Sequence, residues 1–295
     1  MVPPNTYKAG LRPLCEVIQL LLHDLECRHE ELHGDTAEPP LRPLTTGLLS
    51  IDARDPVLWQ GEVTLIAGPP GIGKTSLACQ FASHTAIDLG QSIAYFSLGE
   101  PAARIAYILI SGVSSLRYRQ LLSGHIGDQH WDNLTVGLGK LSDAKIFLND
   151  NLLDPNRLIL EIQDWARQVP AGMGVVVLDN FESLLIGLSG DDRTIVMVEV
   201  FRALRDEADA RSLVIIVVSR RSHEVIGPSS AKAESAIIGS LSHTVLNLRR
   251  PDGMETNNLP AHRHVAMEIA REEKLTTANL VFIGELRRFR DGFTS

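Results

Sequence analysis

The sequence contains few cysteines, no long apolar run and no excess of basic residues. Cys15, Cys27 and Cys79 stand apart and show no C-x-x-C spacing, so they indicate neither a disulfide framework nor a zinc knuckle. No apolar stretch approaches the roughly 20 residues that span a bilayer, and the opening "MVPPNTYKAG" lacks the apolar centre of a signal peptide. We therefore predict a cytoplasmic protein without a membrane partner.

The charge balance is acidic. The 295 residues carry a formal net charge of −8, which supplies no overall positive field of the kind found on nucleic-acid-binding domains. An acidic balance does not exclude a nucleic-acid partner, because a ring-shaped protein can line a narrow channel with a few basic side chains. Hydrophobic residues make up 44% and charged residues 22%, which is typical of a globular protein with a sizeable core.

The first 44 residues differ in pattern from the rest. Residues 11–32 place leucine, isoleucine and valine at helical spacing and predict an amphipathic helix. The segment "GDTAEPPLRP" follows and is typical of a proline-rich linker. We assign residues 1–44 to a linker helix with its linker, and residues 45–295 to one folded domain.

Strands and helices alternate through that domain. Near-continuous aliphatic runs predict buried parallel strands with helices on both faces of the sheet. The clearest runs are residues 63–67, 92–98, 145–149, 174–179 and 213–219. Three later strands, near 244–249, 264–270 and 279–286, have no long helices between them and predict an antiparallel C-terminal extension. The predicted fold class is therefore α/β, with a mainly parallel sheet.

One stretch predicts the chemistry of the domain. "LIAGPPGIGKTSLACQF", from Leu65 to Phe81, contains the P-loop pattern G-x-x-x-x-G-K-T between a predicted strand and a predicted helix. Glycines let backbone N–H groups approach a polyphosphate, and a helix N-terminus favours negative charge. We expect Lys74 to contact the β- and γ-phosphates of ATP and the Thr75 hydroxyl to bind Mg²⁺. The predicted nucleotide-binding residues are Gly68, Pro69, Pro70, Gly71, Ile72, Gly73, Lys74, Thr75 and Ser76.

A P-loop needs an acidic partner for the metal ion. "GVVVLDN" ends a buried strand with Asp179, which we predict to be the second Mg²⁺ ligand and a catalytic residue. The alternative for Asp179 is a simple strand-end cap. The next strand ends in "VVSRRSH", which places Ser219, Arg220 and Arg221 where a polar residue senses the γ-phosphate. The alternative for the two arginines is a solvated strand end.

Several motifs in order resemble the linker helix and C-terminal motor domain of DnaB-type replicative DNA helicases. The similar stretches are "LRPLCEVIQLLLHDLECRHE", "LTTGLLSIDA", "IAGPPGIGKTSLA", "AYFSLGE", "RQLLSGHIGDQHWDNL" and "VVVLDNFESL". The resemblance spans about residues 11–292 and implies a RecA-like P-loop NTPase core. It also implies ATP-driven unwinding of DNA, or translocation on it, during replication. The implied partners are single-stranded DNA, a replication protein and further copies of the chain in a hexameric ring.

The sequence departs from the family in its catalytic residues. Gly99 stands where the family has the glutamate that activates the attacking water, and Glu100 follows it. Arg271-Glu272-Glu273 aligns with the K-x-R segment that reaches into a neighbouring ATP site, so Glu273 replaces the arginine finger. Such a finger is worth about three or more decades in rate. Glu100 and Arg271 are the candidate catalytic replacements.

Two further residues depart from the family pattern. Arg220 replaces a glutamine, and Ala233 stands where the DNA-contacting loop has an arginine. Two function classes therefore stay open. One is an ATP-hydrolysing DNA helicase, and the other is a degenerate ATP-binding protein that acts in assembly or interaction. A recombinase-type or clock-type RecA-like ATPase is a third interpretation.

A different motif lies near the N-terminus. "HEELH", residues 29–33, matches the H-E-x-x-H pattern of zinc proteases, in which two histidines share a helix face. The segment ends a helix beside a proline-rich linker and has no evident third ligand. We interpret it as the charged end of the linker helix.

Overall fold

A computed structural model describes residues 43–54, 56–151, 153–219, 229–250 and 262–292. They belong to a compact unit that runs from Pro43 to Ser295. The predicted helix over residues 11–32, the "HEELH" motif, Arg220 and Arg221 lie outside the described residues. The interpretations of these segments, and the domain boundary after residue 44, stay predictions.

Nine of the eleven described strands form one sheet. In chain order the strands are β1 (Pro43–Leu44), β2 (Leu58–Trp59), β3 (Glu62–Ala67), β4 (Ser92–Ser97), β5 (Ile146–Asn149), β6 (Gly174–Asp179), β7 (Val214–Val218), β8 (Thr244–Arg249), β9 (His262–Arg271), β10 (Lys274–Ile283) and β11 (Arg288–Asp291). The sheet order is β11-β10-β9-β8-β3-β7-β6-β4-β5, and β1 pairs with β2 separately. Neighbouring strands from β8 through to β5 are parallel.

Eight α-helices lie in the described part of the chain, and all but α1 are in the connections between the parallel strands. They are α1 (Leu49–Asp52), α2 (Lys74–Ile87), α3 (Ala102–Ser114), α4 (Tyr118–Ser123), α5 (Trp131–Asp143), α6 (Pro155–Ala166), α7 (Gly190–Arg211) and α8 (Ser229–Leu241). Local sequence sets their ends: Asp154 caps α6 by accepting a bond from the Arg157 backbone N–H, with Pro155 as the first helical residue. In the described part of the chain, no helix has the length and apolar character needed to cross a membrane.

The sheet has an apolar core on each face. Every residue of β4, β6 and β7 is buried, which explains their continuous aliphatic sequences, because a strand covered on both faces has no solvent side. Phe81 of α2 and Ile105 of α3 belong to one core. Leu158 of α6 and Phe201 of α7 belong to the other. The α/β prediction with a mainly parallel sheet is confirmed.

The C-terminal extension differs from the prediction in two respects. The strand at 244–249, predicted as antiparallel, lies parallel to β3 as β8, because α8 supplies the crossover that a parallel connection needs. The antiparallel part begins at β9, which pairs with both β8 and β10. A further strand, β11, pairs with β10 and was not predicted.

Candidate nucleotide-binding site

The carboxyl ends of four neighbouring strands bring the predicted site residues to one edge of the sheet. The P-loop follows β3, Ser219 follows β7, Asp179 ends β6, and Glu100 lies just after β4. Two backbone bonds hold these ends in register: the Ser219 N–H donates to the Ile66 carbonyl at 2.9 Å, and the Leu98 N–H donates to the Asp179 carbonyl at 2.7 Å. Open α/β sheets bind ligands at this edge.

Residues 68–73 form the turn from β3 into α2, and Lys74, Thr75 and Ser76 are the first three residues of the helix. Two glycines are required by their surroundings. Gly68 has φ +149°, and a Cβ there would lie 2.6 Å from the Leu248 carbonyl oxygen. Gly73 precedes α2 with φ +113°, and a Cβ there would lie 2.8 Å from the Phe289 ring. The turn therefore needs glycine at both ends to bring the backbone close to β8 and β11.

Lys74 begins α2, and its side chain is buried within the loop. Its ammonium group donates to the Gly68 carbonyl at 2.7 Å and to the Pro69 carbonyl at 3.0 Å. These bonds hold a positive charge at the N-terminus of the helix, where no described side chain caps the first turn. The arrangement gathers a cation and the positive end of the helix dipole at one point, which suits a polyphosphate.

Asp179 is the buried carboxylate of the site. Its Oδ1 accepts a bond from the Thr75 hydroxyl at 3.3 Å, and its Oδ2 accepts one from the Tyr95 hydroxyl at 2.8 Å. Burial raises the pKa of Asp179, and the negative charge of Glu100 raises it further. The two hydroxyl bonds and the positive charge of Lys74 lower the same pKa, but burial outweighs them. The carboxylate therefore lies within electrostatic range of both Lys74 and Glu100.

Glu100 lies beside the site, in the bend that follows β4. Its carboxylate pairs with Arg104 of α3 at 2.8 Å, and its backbone carbonyl accepts a bond from the Ser97 hydroxyl at 2.6 Å. The ion pair is partly exposed, with 35% of the Glu100 side chain accessible. Gly99 is exposed in the bend after β4.

Arg271 lies at the edge of the sheet opposite the P-loop, beside Thr244, the first residue of β8. Both of its terminal nitrogens donate to the Glu62 carboxylate, and one also donates to the Thr244 hydroxyl at 3.1 Å. The guanidinium stands 4.9 Å from the centre of the Trp59 ring. Glu273 is exposed in the turn between β9 and β10. The structure of one chain thus brings together the P-loop, Asp179 and Glu100, and it places Arg271 apart from them.

Two side chains of the site were not predicted. Tyr95 of β4 donates to Asp179, and Glu182 accepts a bond from the Ser219 hydroxyl. Glu182 lies in the 3-10 turn Phe181–Leu185, directly after β6. The available signal was a tyrosine in the middle of a buried strand, since a buried tyrosine hydroxyl needs a partner.

The donor set fits Mg-ATP. Thr75 and Asp179 offer a hydroxyl and a carboxylate oxygen 3.3 Å apart, and Mg²⁺ prefers oxygen ligands. A buried ammonium beside a glycine-shaped turn fits the phosphate groups. In the described part of the chain, there is no cluster of three or more His, Cys, Asp or Glu side chains that would hold a metal without a nucleotide.

The sequence profile of the DnaB-like helicase C-terminal domain matches residues 43–291. The chain belongs to this family. It is 24% identical over 289 residues to the replicative DNA helicase DnaB of Leifsonia xyli subsp. xyli, covering 95% of this chain and 61% of the relative. This chain therefore spans about three fifths of the length of that DnaB-type relative.

Solved structures agree on the fold. A DnaB-like replicative helicase, described together with its interactions with primase, superposes with a TM-score of 0.76 at 21% identity, over 96% of this chain and 72% of that one. A solved ATPase domain superposes with a TM-score of 0.72 at 19% identity, over 96% of this chain and all of that one. At these identities the likeness shows the RecA-like fold of the DnaB-like family.

Proposed function

We propose that this chain is the ATP-driven motor of a DnaB-like DNA helicase, which binds Mg-ATP and uses it to unwind or move along DNA during replication. The single observation that carries the proposal is the meeting of Lys74, Thr75 and Asp179 at one sheet edge in a member of this family. The relatives are replicative DNA helicases, which favours this function over a binding protein without activity.

The residues of the site have separate proposed roles in phosphate binding, metal binding and sensing of the γ-phosphate. The backbone of residues 68–76 and the Lys74 ammonium bind the β- and γ-phosphates. When ATP binds, the ammonium exchanges its bonds to the Gly68 and Pro69 carbonyls for bonds to the phosphates. Thr75 and Asp179 hold the magnesium ion, which neutralises charge on the phosphates when bound. Ser219 follows β7 and donates its hydroxyl to Glu182, and it is the proposed polar side chain that senses the γ-phosphate.

Glu100 is the proposed general base. To reach an attacking water it must leave Arg104, and a partly exposed ion pair of this kind costs only about 0.2–1 kcal/mol to break. Glu273 places negative charge where the family has an arginine finger, and negative charge there disfavours the transition state. We therefore propose that hydrolysis is slow and that DNA stimulates it weakly.

The proposed assembly is a homo-hexameric ring with single-stranded DNA in its channel. The support is family membership, because a motor that surrounds DNA requires several copies. A replication protein is the proposed additional partner, since a DnaB-like helicase of the same fold was solved together with its interactions with primase. The net charge of −8 means that DNA contacts must come from local basic side chains.

The deciding experiment is steady-state ATP hydrolysis with and without single-stranded DNA, combined with unwinding of a forked duplex. Lys74→Ala is the matched inactive variant. Unwinding by the wild type that is lost in Lys74→Ala supports the helicase. ATP binding without DNA-dependent turnover or unwinding would instead assign the chain to assembly or interaction.

A further inference from the structure

A tyrosine hydroxyl from β4 reaches the metal-binding carboxylate of β6. The Tyr95 side chain is 1% exposed, and its hydroxyl donates to Oδ2 of Asp179 at 2.8 Å. The Cys79 thiol of α2 lies 3.6 Å from the same hydroxyl and donates to it weakly. The hydroxyl is therefore fixed from both sides, as a donor to the carboxylate and as an acceptor from the thiol.

Strand register produces this contact. Tyr95 pairs with Val177 in the parallel ladder of β4 and β6. Because side chains on a strand alternate between faces, Val177 and Asp179 lie on the same face of the sheet as Tyr95. Tyr95 and Val177 belong to the core on the face that α2 covers. The tyrosine ring thus runs under α2 toward the strand end that carries Asp179.

The two oxygens of the Asp179 carboxylate have different partners. Oδ2 faces Tyr95, and Oδ1 faces the Thr75 hydroxyl. A bond to one oxygen of a carboxylate restricts its rotation, so the other oxygen points in a defined direction. Here that direction is toward the P-loop threonine.

We infer that Tyr95 is a positioning residue for the magnesium site. The Tyr95 hydroxyl holds Asp179 so that only Oδ1 faces Thr75 and the metal ion. The inference rests on the proposed Mg-ATP function. In this role Tyr95 acts through Asp179. Outer partners that orient a metal ligand typically contribute 10- to 100-fold to metal affinity.

The alternative is that the bond only satisfies a buried hydroxyl. Such a role would alter stability and leave the magnesium dependence of ATP binding unchanged. Tyr95→Phe separates the two, because it keeps the ring in the core and removes the donor. Tyr118→Phe is the matched control, since Tyr118 of α4 is also buried and its ring faces Arg287 instead of the P-loop.

The experiment measures binding of a fluorescent ATP analogue across a magnesium titration, and again in EDTA. For Tyr95→Phe we expect the magnesium concentration at half-maximal effect to rise about 10- to 100-fold, with affinity in EDTA equal to that of the wild type. Tyr118→Phe should match the wild type in both conditions. A Tyr95→Phe protein with wild-type magnesium dependence overturns the positioning role.

A second measurement needs no substitution at Tyr95. The chain has four tyrosines, so uniform 3-fluorotyrosine labelling gives a simple ¹⁹F spectrum. We expect the Tyr95 resonance, assigned by elimination with the Tyr→Phe variants of the other three tyrosines, to shift when magnesium is added to the ATP complex. A resonance that ignores magnesium overturns the inference. Failure of Mg-ATP binding itself gives a different result, because then the wild type shows no magnesium-dependent ATP binding at all. Failure of unwinding alone leaves magnesium-dependent binding in the wild type, and the comparison with Tyr95→Phe still decides the positioning role.

Discussion

The guanidinium of Arg271 and the carboxylate of Glu62 form a two-bond ion pair at the end of the sheet away from the P-loop. Glu62 is the first residue of β3, and the P-loop follows the last, so the pair lies roughly 16 Å along the strand from that loop. Thr244 and Trp59 also contact the guanidinium. Arg271 thus has a structural role within its own chain, and it must leave Glu62 to act as a finger on a neighbour.

Arg271→Ala should lower the free energy of unfolding by about 2 kcal/mol, because it leaves a partly buried carboxylate without its charged partner. Arg271→Lys should recover only part of this loss, since an ammonium cannot form the two parallel bonds. Urea denaturation measures both. Arg167→Ala, which removes an exposed pair with Asp164, is the control and should cost less than about 1 kcal/mol.

Glu62→Gln distinguishes the structural role of Arg271 from a catalytic one. If Arg271 acts only in the fold, Glu62→Gln and Arg271→Ala should lower stability alike and leave turnover per folded protein unchanged. A large loss of ATP turnover in Arg271→Ala, with turnover kept or raised in Glu62→Gln, would show that Arg271 serves as the finger.

Lys74→Ala should weaken ATP binding about 10- to 100-fold, because it removes the buried ammonium that binds the phosphates. Lys74→Met keeps the aliphatic stem inside the loop and should show the same loss, which separates the charge from the packing. Lys140→Ala changes an exposed lysine of α5 and serves as the control. Calorimetric titration with Mg-ATP measures the affinity, and equal affinity in Lys74→Met and the wild type would contradict the assignment.

The sequence predicted most of the central fold. Short aliphatic runs rich in valine, such as 174–179, favour buried strands, and β6 occupies these residues. The predicted direction of β8 was wrong, because the direction of a strand depends on the connection before it. The helix α8, which forms that connection, was not predicted. The strand β11 was missed because "RFRD" has one apolar residue, Phe289, whose burial depends on pairing with β10.

The sequence predicts the parts of the site whose residues are neighbours in one motif. It does not predict contacts that depend on how separate strands align. The motif alone indicates that Lys74 and Thr75 lie in one turn. The contact of Tyr95 with Asp179 depends on how β4 and β6 align, and that of Arg271 with Glu62 joins positions 209 residues apart in sequence. No local pattern encodes such pairs.

Asp179→Asn should stabilise the protein without nucleotide and abolish magnesium-dependent ATP binding. Burial raises the folded-state pKa of Asp179 above its usual 3.8, so the folded state binds the proton more tightly than the unfolded state. The wild type therefore loses stability as the pH rises from 3.8 through that raised pKa. Unfolding free energies at several pH values should show the advantage of the variant growing with pH and then levelling. An advantage that is constant or shrinks with pH would contradict this.

Deletion of residues 1–40 should reduce the assembly to smaller species while leaving the compact unit from Pro43 folded. The predicted amphipathic helix at 11–32 has an apolar stripe that we expect to dock on a neighbouring subunit. Light scattering gives the mass, and circular dichroism with thermal unfolding shows whether the fold is kept. An unchanged mass after the deletion would remove the helix from the assembly.

Glu273→Arg should raise DNA-stimulated ATP turnover by at least about tenfold, because it restores positive charge where the family has its finger. Glu273 is exposed in the turn between β9 and β10, so the change costs little stability. Glu272→Arg makes the same change of charge one residue away in the same turn, and its turnover should match the wild type. Equal gains in the two variants would attribute the effect to general attraction for DNA. Fast DNA-stimulated turnover in the wild type, with no gain in Glu273→Arg, would show that this motor needs no arginine at position 273.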